Sequence, residues 1–359
     1  MQEESLALRR ALGDTYGTAA SLNNLGVLAR YQGQLERAES IFQESLTLRR
    51  MIGDTWGIAG SLSNLSSVVA EQGEFPRAIV LQEESLILRR ELGDKVTIGL
   101  TLTNLGVLAR YQGQYGRATT FLEEGLALRS ELGDKWGAAN ALANLGNVAV
   151  DQGDEVQAVA AYQRSLTLCR EIGDKRTVPY CLEGLAAVAC GRGQAEQAAR
   201  LCGAADALRG AIGAPLPQVE RPILDHTIAA VRATMDTTSP QGERAFTTAW
   251  ATGQALTLEQ AIAEALAVEV VAPHPPLSAA PASKERRDGR LAPLSQRERE
   301  IAALVAAGHT NRQIAAELGI TERTVDTHVG HILGKLGLSS RAGVATWLTK
   351  QDHREGVAP

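Results

Sequence analysis

Between Arg323 and Lys335 the chain separates hydrogen-bonding side chains from apolar ones at helical spacing. Val325, Val329, Ile332, Leu333 and Leu336 form one stripe, which must face a core. Arg323, Thr327, Gly330 and Gly334 fall opposite, with Asp326 on one flank. Thr324, His328, His331 and Lys335 form the other flank. A helix that buries one stripe and offers short or polar side chains on the other can lie in a DNA major groove and bond base edges. The same pattern suits a small helical bundle with a solvated polar face. Spacing alone leaves both readings open.

The elements that would position this helix are marked by their punctuation. Ser295 with Glu298 is a capping box, and Gly308 closes the helix it opens. Thr310 with Gln313 is a second box, and Gly319 stops that helix after about two turns. Thr321 caps a longer helix ending at Gly337, and Ser339 or Ser340 caps a fourth. Two helices joined through Gly319-Ile320-Thr321 make a helix-turn-helix.

The residues in this stretch resemble the LuxR-type DNA-binding domain of bacterial regulators. The matching pieces include Leu294-Ser295, Arg297 to Glu300, Gly308-His309-Thr310-Asn311, Ile314-Ala315, Ile320-Thr321, Arg323-Thr324-Val325, Thr327-His328-Val329 and Lys335-Leu336-Gly337. The resemblance implies promoter DNA as a partner. It puts Asp326, Thr327, Gly330 and His331 at base-facing positions, with Arg323 on the same polar side. Asn311, Arg312, Thr324 and Lys335 are the candidates for phosphate contacts, which set register while base contacts set sequence. It also implies a homodimer on DNA, paired through the last helix, Arg341 to Thr349. One departure matters. Many members of this family carry Lys where this chain has Asp326, and a carboxylate accepts from cytosine instead of binding phosphate.

Upstream, Gly-Asp recurs at 13–14, 53–54, 93–94, 133–134 and 173–174, a period of 40. Leu25, Gly33 and Ala38 keep step with it in the following units. A fixed period in this range signals a stacked solenoid. Each unit reads as two helices, the first broken at Gly33 and the second ended at Gly53. Gly26, Gly106 and Gly146 would let neighbouring helices approach closely. Asn-Leu-Gly, Gly-Gln and the following Ala resemble a tetratricopeptide repeat, although that repeat's tryptophan and proline signatures are missing. Residues 24–34 and 104–114 are nearly identical, which implies duplication of an 80-residue pair. The first unit is incomplete: residues 2–10 nearly repeat 82–90, a second helix without its first. This start suggests a truncated or mis-started form of a longer protein.

The first helices carry a ladder of amides, Asn24, Asn64, Asn104 and Asn144. Tetratricopeptide proteins bind extended peptides on their concave side, so these amides are candidates to bond a partner's backbone. Arg30, Tyr31, Arg110 and Tyr111 lie beside the ladder. The alternative is that each Asn bonds only across to the adjacent repeat. Both readings stay open.

The expected fold class is therefore all-α, a tetratricopeptide-like helical-hairpin solenoid followed by a four-helix LuxR-type helix-turn-helix domain. Expected boundaries are 1–213 for the solenoid, 214–272 for a helical extension, 273–292 for a flexible linker, 293–350 for the DNA-binding domain and 351–359 for a tail. The extension should hold helices near 217–235, 242–255 and 257–268. It looks like the segment before the DNA-binding domain in large, ATPase-containing LuxR regulators of the MalT-like group.

Aromatics are only 4% of the chain, which suits helices packed through small residues. A formal net charge of −5 argues against non-specific nucleic-acid binding by the whole chain, so DNA contact must be local. The start lacks an apolar signal region and no run of about 18 apolar residues occurs, so a cytoplasmic protein without membrane contact is expected. Cys169, Cys181, Cys190 and Cys202 sit in apolar helical patterns and read as buried, reduced thiols. No phosphate loop, nucleophile elbow or metal-ligand spacing occurs, so neither cofactor nor catalysis is expected. The leading expectation is a transcription regulator whose solenoid receives a protein or peptide. The rival is an interaction scaffold with a vestigial DNA-binding domain.

Overall fold

The computed structural model describes residues 2–214, 216, 219–268, 296–306, 309–318, 325, 329 and 332. The chain divides into two units, Met1–His274 and Pro275–Pro359. Among the described residues every regular element is a helix, in keeping with the all-α expectation. None of these helices is long and apolar enough to cross a membrane.

The first unit opens with α1 (Gln2–Ala11), which packs on α2 (Thr15–Tyr31) as a second helix packs on the next first helix. Five hairpins follow: α2 with α3 (Leu35–Ile52), α4 (Thr55–Glu71) with α5 (Phe75–Leu92), α6 (Lys95–Tyr111) with α7 (Tyr115–Glu131), α8 (Lys135–Gln152) with α9 (Glu155–Ile172), and α10 (Val178–Gly191) with α11 (Ala195–Ile212). The recurring Gly-Asp now has a physical reason. Gly53 adopts φ 70° and ends α3, a conformation that a Cβ would strain. Asp54 then caps α4 by accepting from the Gly57 amide. Asp14, Asp94 and Asp134 cap α2, α6 and α8 in the same way. In the fifth unit Pro179 occupies the first turn of α10, which starts three residues later than its counterparts.

Small residues do set the approach within each hairpin. A Cβ on Gly26 would meet the Phe42 ring at 2.7 Å, and one on Gly146 would meet Tyr162 at 2.5 Å. The second unit carries Ser66 at this position, whose hydroxyl donates to the Ala78 carbonyl at 2.7 Å. Phe42 and Tyr162 are fully buried, so a small residue and a ring fill each other's space.

A second ladder consists of arginines. Arg49, Arg89 and Arg129 are each under 10% exposed, although arginine is rarely buried unpaired. Arg49 and Arg129 pair with the capping Asp54 and Asp134. Arg89 donates to the Thr97 carbonyl at 2.9 Å. On the outside, Arg10–Glu44, Arg50–Glu84 and Arg90–Glu124 repeat one exposed ion pair along the second helices. Each is worth about 0–1 kcal/mol at such exposure, so packing and the buried arginines carry the stack.

Past Gly213 come α12 (Arg221–Thr234), α13 (Pro240–Gln254) and α14 (Leu258–Leu266). Thr257 and Gln260 form the expected capping box. α13 lies on α11, and a Cβ on Gly253 would meet the Arg200 carbonyl oxygen at 2.0 Å. α14 packs on α9, α10 and α11, and Gln163 donates to the Leu266 and Val268 carbonyls at 3.0 Å. Three cysteines are buried as expected. Cys190 differs: it is only partly buried, because it sits near the end of α10 beside Thr234. Burial pushes the Cys169 and Cys202 thiols up to about 12.

In the second unit α15 (Gln296–Ala306) and α16 (Asn311–Leu318) are described. The Thr310–Gln313 box closes: the Thr310 amide donates to Gln313 Oε1 at 2.8 Å, and the Gln313 amide to Thr310 Oγ1 at 3.3 Å. Ile301, Ala302, Val305, Ile314, Val325 and Ile332 are buried. Val325 and Ile332 belong to the stripe expected to face a core. The linker expected at 273–292 lies outside the described residues, as does the Ser295 cap.

Candidate partner groove and DNA-binding segment

The amide ladder is not uniform. Asn24 is exposed, while Asn64, Asn104 and Asn144 are half-buried. Asn64 donates to Asn23 of the preceding repeat at 2.9 Å, and Asn144 donates to the Asn140 carbonyl one turn back at 2.9 Å. Asn104 and Asn144 line one cavity of about 230 Å³, together with Asn140, Asn147, Tyr180 and Glu220. The structure thus brings the third and fourth amides to a common space. It ends the ladder at Gly184, where a Cβ would meet the Tyr162 ring at 2.2 Å.

The cations beside the ladder are committed to acids one repeat on. Arg30 pairs with Glu71 at 2.6 Å, and Arg110 pairs with Asp151 at 2.7 Å. Both pairs span 41 residues, so they are the same contact in the two halves of the 80-residue duplication. Arg110 is buried, yet two bonds to Asp151 outweigh that burial and hold its charge. Tyr31 and Tyr111 are equivalent in sequence and differ in surroundings. Tyr31 is 81% exposed. Tyr111 stacks near Phe75, ring centroids 5.3 Å apart, and donates to Glu220 at 2.9 Å. Burial first, and the Glu220 charge second, push the Tyr111 hydroxyl well above its usual range.

A larger cavity of about 560 Å³ adjoins this spot, lined by Arg110, Asp151, Tyr162, Tyr180, Glu183 and the start of α12 among others. Tyr162 lies across its floor and donates to Asn147 at 2.6 Å. Arg209 grips Glu183 through two bonds of 2.9 and 2.7 Å and stacks on the Tyr180 ring at 4.3 Å. Burial works against the Arg209 charge, and the Glu183 bonds overcome it. Sequence reasoning missed Glu220, Tyr162 and Tyr180. The residues around Glu220 carry no repeat signal, and each tyrosine replaces a different residue type in the other units.

In the second unit, Asn311 is the half-buried first residue of α16. Arg312 lies in that helix, but its side chain is outside the described residues, as are Arg323, Thr324, Asp326, Thr327, Gly330, His331 and Lys335. What is described is the scaffold on either side: the closed Thr310 box before α16 and the buried Val325 and Ile332 beyond it. Residues 292–348 match the family model for bacterial regulatory proteins of the luxR family.

The chain carries a LuxR-family domain.

Ahead of this LuxR-family domain, residues 1–51, 57–131 and 141–176 match tetratricopeptide-repeat models. A Mycobacterium bovis protein, an HTH-type transcriptional regulator by name, is 36% identical over 149 residues, 40% of this chain and 14% of that protein. The nitrate/nitrite response regulator protein NarL of Escherichia coli is 41% identical over 98 residues, 27% of this chain and 43% of NarL. The match therefore spans a minor part of these relatives' own length. Among solved structures, BtubC from P. vanneervenii superposes with a TM-score of 0.51 at 20% identity, covering 60% of this chain and 91% of that one. That likeness is one of fold.

Proposed function

We propose that this chain is a sequence-specific DNA-binding transcription regulator whose repeat array receives a protein or peptide partner. The observation that carries the reading is the luxR-family match over 292–348, which contains the whole Arg323–Lys335 segment. On this reading Arg323, Asp326, Thr327, Gly330 and His331 face bases, and Asn311, Arg312, Thr324 and Lys335 contact phosphate. Two copies pair through 341–349 on half-sites about one helical turn apart. On the same reading, 1–213 is the array, 214–272 its extension, 273–292 the linker, 293–350 the DNA-binding domain and 351–359 the tail. The protein acts in the cytoplasm, where its DNA is. Asp326 in place of a base removes one phosphate contact, which lowers both affinity and its salt dependence. Partner binding and dimerisation then set occupancy more than the recognition helix does.

The test is an electrophoretic shift of promoter fragments from the source genome by the intact chain across a salt series. Selective shifts are expected, weakened across all fragments by Lys335→Ala and altered in sequence preference by Thr327→Ala. No shift at low salt on any fragment, with stable capture of a protein partner, would favour the scaffold reading. Asn64→Ala with Asn104→Ala should weaken partner capture and leave helicity unchanged. Loss of the fold would instead assign the ladder to structure.

A further inference from the structure

The groove beside the amide ladder is already occupied at one end by the chain itself. Glu220 reaches Tyr111 across 109 residues of sequence, at 2.9 Å. Its carboxylate is the only charge lining the Asn104–Asn144 cavity among the described residues. Tyr180 and the Asn147 amide line the same space and can donate to a carboxylate, while the Asn144 amide is taken by Asn140. Pro222, Ile223 and Leu224 follow at once and line the 560 Å³ cavity over Tyr162.

The way α12 is held distinguishes it from a permanent cap. Glu220 is the N-cap residue of α12 but makes no capping bond, because its side chain goes to Tyr111 instead. Only Thr227 and Val231 of α12 are buried, and Ile223 is 44% exposed. Cavities of about 560 and 580 Å³ flank the helix on its two sides. Side chains facing such water-sized spaces bury little apolar surface, so packing holds the first turns of α12 weakly. The end of the repeat stack does not depend on it, since α13 and α14 already cover α11. The first turns of α12 are seated by one charge-assisted bond and a few apolar side chains, whereas its last turn is tied to α13 by Arg232, which pairs with Glu243 at 3.2 Å and lies over the Phe246 ring.

We propose that Glu220 and the first turns of α12 are an internal stand-in for the partner. The partner is a peptide segment that places a carboxylate on Tyr111 and follows it with proline and aliphatic residues entering a helix. It displaces the first turns of α12 when it docks. This rests on the proposed reading of the array as a partner-binding surface and names the chemistry of that partner. Because the internal copy is tethered, it competes at high effective concentration. A free segment therefore binds the intact groove poorly until the internal one is loosened.

The probe is a labelled synthetic peptide of residues 219–231, VERPILDHTIAAV, added to the full chain. With Glu220→Ala in the chain, the peptide is expected to bind at least about tenfold tighter than to the unaltered chain, the scale of one charge-assisted bond. Adding Tyr111→Phe to that chain should cancel the gain, and so should replacing the peptide's own glutamate by alanine. Hydrogen exchange should quicken across α12 in both Glu220→Ala and Tyr111→Phe chains while α4 to α9 stay protected. Far-UV circular dichroism identifies a variant that has unfolded, and the milder Tyr111→Phe chain then supplies the exchange result. Unchanged α12 exchange in both variants, or no gain in peptide binding by the Glu220→Ala chain, would overturn the proposal; the two together would make α12 a fixed cap. The partner reading would survive that result, because it is tested separately by Asn64→Ala with Asn104→Ala.

Discussion

α12 and α13 follow the last repeat within 42 residues of its final glycine, Gly213 to Gln254, yet are joined to it by different physics. α13 meets α11 backbone against backbone. A Cβ on Gly203 would lie 2.3 Å from the Trp250 carbonyl oxygen, and one on Gly253 would lie 2.0 Å from that of Arg200. Its start is capped by Ser239, which accepts from the Gly242 amide at 3.0 Å. Phe246 is buried, and Arg232 of α12 lies over its ring at 4.2 Å. α12 has no such approach, no side-chain cap and open space on both sides. Two helices of similar length that close one stack thus need not be equally permanent. Glycine-mediated contact excludes water and solvent-separated states, whereas the Glu220 anchor of the first turns of α12 can be exchanged for an equivalent one.

Breaking the tight side should cost most. Phe246→Ala removes a buried ring from α13 and should lower unfolding free energy by about 3–5 kcal/mol in denaturant titration. An effect on α12 exchange alone, without global loss, would show that α13 is not part of the stack. Val231→Ala removes two methyls from one of the two buried positions of α12. The expected loss is about 1–2 kcal/mol, confined in hydrogen exchange to α12; a global loss of the Phe246→Ala size would erase the contrast between the helices. Ser239→Ala deletes the α13 cap and should cost about 1 kcal/mol. Its thermal midpoint should fall slightly, with the peptide binding of the Glu220→Ala chain unaltered.

The same contrast separates what could be read from residues alone. The period of 40, the helix breaks at Gly33 and Gly53 and the Thr257 and Thr310 boxes are local signals, and the structure places helices and caps where they indicate. Gly26 and Gly146 were legible as close approaches because they lack a side chain at a recurring helical position, whereas the rings that fill the space, Phe42 and Tyr162, were not. The buried arginines were less so. Arg49 and Arg129 look like surface charges until the capping Asp five residues later is seen to turn back on them. For the amide ladder, equal spacing gave no warning of unequal roles: Asn64 bonds Asn23, while Asn104 opens on a cavity.

By itself, the sequence determined the repeat, the order of helices and the presence of a LuxR-family domain, because periodic burial, turn glycines and capping side chains act over a few residues and recur. Tertiary structure alone decided where the non-repeating segment after Gly213 goes. A contact such as Tyr111 with Glu220 joins residues 109 apart, and nothing in either residue's neighbourhood specifies the other. It exists because stacking five hairpins leaves a donor-lined space at the level of α6 and α8, and the chain that leaves the stack supplies a carboxylate to it.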